Sequence, residues 1–121
     1  MCEFGLIVAG GRDFTDYQLL CQAVDGLRAS VLSDYEVVII SGGARGADML
    51  GQHYARSRGL RCIVQDADWN TYGKRAGHLR NEQMGDQAHG LLAFWDGESR
   101  GTRHMIAYMR KLGKPTKTIK Y

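Results

Sequence analysis

The chain has 121 residues, 44% of them hydrophobic, enough to bury one core and too few for two, so one domain over residues 1–121 is expected. Its 16 basic and 13 acidic residues give a formal charge of +3 and are spread along the whole length, which excludes a strong polyanion-binding stripe and leaves nucleic acid an unexpected partner. Cys2, Cys21 and Cys62 are widely spaced, no C-x-x-C or H-x-x-x-H pattern occurs, and the longest apolar runs are strand length; the expectation is no disulfide frame, no metal site, no membrane segment and a reducing cytoplasm.

Leu6 to Ala9 is a short apolar run that reads as the first strand, with Gly10-Gly11-Arg12-Asp13-Phe14 as its loop. Thr15 and Gln18 have the spacing of a capping box, and Leu20, Val24, Leu27 and Val31 recur at helical spacing, widened by Leu19 and Ala23. This first helix is expected to break at Asp34-Tyr35. A second apolar run, Val37 to Ile40, ends in Ser41-Gly42-Gly43, and a second helix follows from about Ala47 to Arg58, with Ala47, Leu50, Tyr54 and Ala55 inward and Gly59 as its stop.

Leu60 to Gln65 reads as the third strand. Asp66 to Gly73 has neither helical nor alternating periodicity and is expected to be a long loop. From about Lys74 to Gln87 a third helix places Gly77, Arg80, Asn81 and Met84 on one face, a cation and an amide beside an apolar anchor. Gly90 to Trp95 is the fourth strand, Asp96 to Arg100 another loop, and Gly101 or Thr102 opens a fourth helix on Met105, Ile106, Met109 and Leu112, stopped by Gly113 and Pro115. Thr116 to Tyr121 alternates apolar and lysine-rich positions, as a final edge strand does.

Strands alternating with helices imply an α/β fold, a five-stranded parallel sheet covered on both faces, for which the order 3-2-1-4-5 is expected. Ligands of such sheets bind outside the carboxyl ends of the strands where the order reverses, here between strands one and four. Three glycine-bearing loops fall there: Gly10-Gly11-Arg12, Ser41 to Gly46, and Gly97 to Thr102. Glycine lets backbone N–H groups approach an anion, and a helix opening beside it adds its positive end. Arg12 and Arg45 would supply charge-assisted bonds to phosphate, and Ser41, Ser99 and Thr102 hydroxyls.

Each of these residues also has an ordinary role. Asp48 sits where a helix dipole favours an acid; as a site residue it would accept from ribose hydroxyls or hold magnesium, and no other cofactor is required. Asp13 can cap a turn. Trp69, Tyr72 and Trp95 either stack on a base or cover the core. Arg80 is set on an inward face, where a charge needs a partner, and an ion pair with Asp86, Asp96 or Glu98 is its ordinary alternative. The four histidines are scattered and read as solvated or packing residues.

These motifs together resemble the SLOG superfamily of Rossmann-like domains, which includes the DprA/Smf DNA-processing proteins and the LOG phosphoribohydrolases, and most of all its small YspA-like members. The resemblance covers nearly the whole chain: Gly10-Gly11-Arg12-Asp13-Phe14, Ser41-Gly42-Gly43-Ala44-Arg45-Gly46-Ala47-Asp48, Ala67-Asp68-Trp69, Arg80-Asn81, and Ser99-Arg100-Gly101-Thr102. It implies a Rossmann-like three-layer sandwich with a pocket for a nucleotide or nucleotide-derived ligand. His78-Leu79-Arg80-Asn81-Glu82-Gln83-Met84 is similar to the H-x-R-K-x-x-M helix of LOG enzymes, which places Arg80 at their arginine.

The LOG glycine loop is only half present. Gly101-Thr102 remains, but Arg103, His104 and Met105 follow where an acid is expected. Loss of an acid-base group costs about 10² to 10⁴-fold in rate, so holding a ligand is expected over cutting it. The leading expectation is therefore a binding module for a nucleotide-derived molecule, a sensor or a phage-type sponge. The alternative is a nucleoside-monophosphate N-glycosidase using Arg80 with Glu98 or Asp96. A third is single-stranded DNA binding in the manner of DprA, against which the modest charge counts. Helices one and four offer faces for a homo-oligomer.

Overall fold

The computed structural model describes residues 1–121. Five parallel strands stand in the order β3-β2-β1-β4-β5: β1 Cys2–Gly10, β2 Tyr35–Ser41, β3 Cys62–Val64, β4 Gly90–Trp95 and β5 Thr116–Lys120. The helices are α1 Tyr17–Ala29, α2 Ala47–Arg58, the short α3 Trp69–Tyr72 with a 3₁₀ turn at Gly73–Arg75, α4 Ala76–Gln87 and α5 Arg100–Lys111. The expected α/β class and strand order are those of the molecule.

Alternation along the central strands sorts the core into two faces. Leu6 and Val8 of β1, Val37 and Ile39 of β2, and Leu92 and Phe94 of β4 pack with Leu20 and Val24 of α1 and with Tyr54 and Ala55 of α2. Ile7 and Ala9, Ile40, and Leu91 and Ala93 point the other way, onto Met84 of α4 and Met105, Ile106 and Met109 of α5. Phe14 closes the first face where the loop after β1 ends, its ring stacked 4.5 Å from that of Phe94. Fully burying such a side chain contributes about 1.5–3 kcal/mol, so this loop is anchored by its own sequence.

Several local boundaries differ from the sequence reading. The first helix is capped by Asp16, whose carboxylate accepts from the Leu19 N–H at 3.0 Å, and not by a Thr15–Gln18 box. It ends at Ala29, so Val31 is 72% exposed and Leu32 turns inward instead. β3, an edge strand, pairs with β2 through only three residues, Cys62 to Val64, and not along the whole of Leu60 to Gln65. Asp66 to Gly73 is not loop throughout: Asp68 accepts from the Thr71 N–H and caps α3, a turn too short to show periodicity. The three cysteines are free thiols, and no helix is long and apolar enough to cross a membrane.

Candidate functional site

The strand order reverses between β1 and β4, and a pocket of about 400 Å³ opens there, at the carboxyl edge of the sheet. Its walls come from the loop after β1 (Gly10 to Asp13), Ala44 and Asp48 around the start of α2, Arg80, Asn81 and Met84 of α4, and Asp96, Ser99, Gly101, Thr102 and Met105 around the start of α5. Residues more than eighty positions apart meet here because a parallel sheet brings all its carboxyl ends to one edge.

The first two loops are locked together by backbone. The Gly11 carbonyl accepts from the N–H of both Phe14 and Ala47, the latter at 3.2 Å, so the β1 loop holds the first residue of α2. Gly46, at φ +79°, makes that approach; a Cβ on it would lie 2.2 Å from the Gly11 oxygen. Gly10 is similarly enclosed, with a Cβ falling 2.3 Å from the Phe94 oxygen. These glycines serve close packing of loop on loop.

The Ser41 to Asp48 stretch turns largely on itself. Ser41 is fully buried, donates to the Asp48 carbonyl at 2.9 Å and accepts from the Gly43 N–H and the Gln52 amide. Its hydroxyl holds the turn and does not reach the pocket. Gly42 offers its carbonyl to Arg80, and Arg45 is exposed away from the pocket lining. Asp48 is 6% exposed and lines the pocket, accepting from the Ala44 N–H at 3.2 Å. Burial pushes its carboxyl up to about 6, against the Ala44 and Gly10 N–H groups and the charges of Arg80 and Arg12, which favour the anion.

Arg80 lies half-buried on α4. It donates through Nη1 to the Gly42 carbonyl and through Nε to Oδ1 of Asn81 at 3.1 Å. Burial lowers its pKa, and the charges of Asp48 and Asp66 act the other way. The ion pairs of the structure are Arg58–Asp25 and Arg61–Glu3, and His104 Nε2 lies 3.6 Å from the Glu82 carboxylate; Asp86, Asp96 and Glu98 are not partners of Arg80. Its charge therefore has no carboxylate within ion-pairing distance.

The third loop caps α5. Ser99 is the N-cap, its Oγ accepting from the Thr102 N–H and lying 3.1 Å from the buried Thr102 hydroxyl. Asp96 Oδ1 accepts from the N–H of Glu98 and of Ser99, both at 2.8 Å, which holds the carboxyl below its usual range. Arg100 and Gly101, in the first turn of α5, have N–H groups with no acceptor inside the helix. Glu98 is exposed and does not line the pocket. Nor do the two tryptophans: Trp95 donates its indole N–H to the Ser99 carbonyl and lies under Arg103, while Trp69 is 51% exposed on α3.

Sequence reasoning underweighted two wall residues. Asp13 accepts from the Tyr121 hydroxyl at 2.6 Å, a contact across 108 positions that no local pattern announces. Asp96 carried a signal, an acid three residues before Ser99 in the pattern of a turn that precedes a helix. It also missed a cluster: His78 and His104 are stacked face to face with centroids 3.9 Å apart, not scattered.

The family model described as the YspA, cpYpsA-related SLOG family matches residues 5–72. The chain belongs to that family. The Gene 61 protein of Mycobacterium phage D29 is 37% identical over 117 residues, with 91% of each chain covered. Two solved structures share this SLOG fold. DNA processing protein A (DprA) from Streptococcus pneumoniae superposes with a TM-score of 0.76 at 15% identity over 97% of this chain, and DprA from Helicobacter pylori with 0.69 at 19% identity over 95%. The chain spans 50% of the length of the first and 64% of the second.

The Helicobacter pylori protein was solved for its single-stranded DNA binding mode. This corrects the expectation that nucleic acid is an unlikely partner. A small net charge was the ground for it, and net charge does not report where the cations of a fold lie.

Proposed function

We propose that the chain holds the phosphate-bearing part of a nucleotide or nucleotide-derived ligand in the pocket between β1 and β4, as a sensor or a sequestering module. The observation that carries this reading is Arg80, a half-buried guanidinium that lines the pocket without a carboxylate partner. An anion brought by a ligand supplies the missing counter-charge. The free N–H groups at the start of α5 and the side chain of Arg12 surround the same space. Asp13, Asp48 and Asp96, also in the wall, suit the hydroxyls of a sugar better than a bare anion. The volume of about 400 Å³ falls in the range of small-molecule pockets.

Single-stranded DNA is the second reading, favoured by the fold likeness to the Helicobacter pylori protein. The same phosphate chemistry would then serve one nucleotide of a strand. Calorimetric titration with mononucleotides, cyclic nucleotides and ADP-ribose derivatives, beside a DNA oligonucleotide at low and high salt, separates the two. Saturable binding of a small nucleotide supports the first. Binding of the oligonucleotide alone, weakening steeply with salt, transfers the site to the second, and silence across both sets overturns the pocket as an anion site.

A further inference from the structure

The amide of Asn81 can be oriented without ambiguity. Its Oδ1 faces Nε of Arg80, which can only donate, and its Nδ2 faces the carbonyl of Gly101 at 3.2 Å, which can only accept. The same Nδ2 lies 3.3 Å from Nδ1 of His104. A donor amide requires an acceptor there, so His104 is neutral with its proton on Nε2, the nitrogen 3.6 Å from the Glu82 carboxylate.

We propose that His104 is a positioning residue for the pocket: neutral, it fixes the Asn81 amide and the amide's bond to Arg80, and protonated, it releases both, leaving Arg80 held by the Gly42 carbonyl alone. A second proton on His104 would go to Nδ1 and confront the Asn81 NH₂ group. If the amide turns over to meet it, Oδ1 leaves Arg80 and faces the Gly101 oxygen, and both remaining bonds are lost. The device joins the α4–α5 surface to the pocket through one side chain.

The surroundings favour the neutral form. Burial lowers the pKa of His104, the neighbouring His78 lowers it further, and Glu82 opposes them. All these groups come from α4. On α5 itself Tyr108 lies 6.3 Å away and is tied to Asp86 of α4. The sheet beneath contributes Ile7, Ala9, Leu91 and Ala93, none of which is charged.

The inference rests on the pocket binding an anion, and two readouts separate its failure from failure of that reading. Sulfate, whose charge is constant from about pH 5 to 8, is titrated against the wild type and His104→Gln, whose amide oxygen accepts and does not titrate. The two are expected to bind alike at the alkaline end and the variant about threefold or more tighter at the acid end. A bystander histidine would do the reverse, because its added positive charge attracts sulfate; wild type binding tighter in acid, or no difference, overturns the proposal. The titration of Asp48 acts on both proteins and cancels. Independently, the Asn81 side-chain amide resonances should follow the protonation of His104 in the wild type and stay fixed in His104→Gln. Should sulfate bind neither protein, this second readout still decides: amide resonances that ignore His104 overturn the proposal.

Discussion

Arg80 of α4 donates to the backbone carbonyl of Gly42, thirty-eight positions earlier and just after β2, so this cation of the pocket wall is held by backbone and not by an acid. Its Nη1 and Asp48 Oδ2 each lie 2.8 Å from where a Cβ on Gly42 would sit, which leaves no room for a side chain between them. The arrangement points a guanidinium without pairing it to a carboxylate, although the charges of Asp48 and Asp66 favour it from a greater distance. That is what an anion site needs.

Arg80→Ala is expected to weaken nucleotide binding by about 10-fold or more, the worth of a charge-assisted bond of roughly 1.5–3 kcal/mol. Arg80→Lys should fall between, because lysine keeps the charge and loses the fork that reaches both Gly42 and Asn81. Equal affinity in all three proteins would mean that the guanidinium does not touch the ligand.

Gly46→Ala tests the lock between the first two loops. At φ +79° and ψ −128° only glycine is at ease, and the added carbon would lie 2.2 Å from the Gly11 oxygen. Urea unfolding should show a loss of at least about 2 kcal/mol. An unchanged midpoint would show that the Gly11 to Ala47 link is dispensable.

Asp48 makes stability depend on pH in a stated direction. Its carboxyl holds a proton in the folded chain up to about 6, above the ordinary value of 3.8. Between those values the folded state binds more protons than the unfolded one, so Asp48 lowers stability as pH rises through that window, by up to about 3 kcal/mol. Denaturant titrations across the window should show that fall in the wild type and its loss in Asp48→Asn. The same slope in both would assign it to another group.

Much of the architecture was legible because it rests on local periodicity. The runs Val37 to Ile40 and Gly90 to Trp95 are apolar without interruption, as strands buried on both faces must be, and the stripe Met105, Ile106, Met109 could only be a helix face. Alternation of such elements leaves few topologies, and the order 3-2-1-4-5 was among them. Where the signal was a single turn, as at Asp16 or Asp68, several polar residues were equivalent in sequence and only geometry separated them.

The candidate site divides along the same line. By itself the sequence determined which loops lie at the carboxyl edge, because glycine after a buried strand and before a helix is a local pattern. Only the tertiary structure decided which side chains in those loops face inward. Ser41 and Ser99 spend their hydroxyls on the turn and the helix cap, Trp95 spends its indole on the Ser99 carbonyl, and Asp13 enters the wall opposite Tyr121. The stacking of His78 on His104 joins two helices across twenty-six positions of sequence, with a strand between them. Such pairings are set by how α4 and α5 cross on the sheet, a relation that no window of sequence contains.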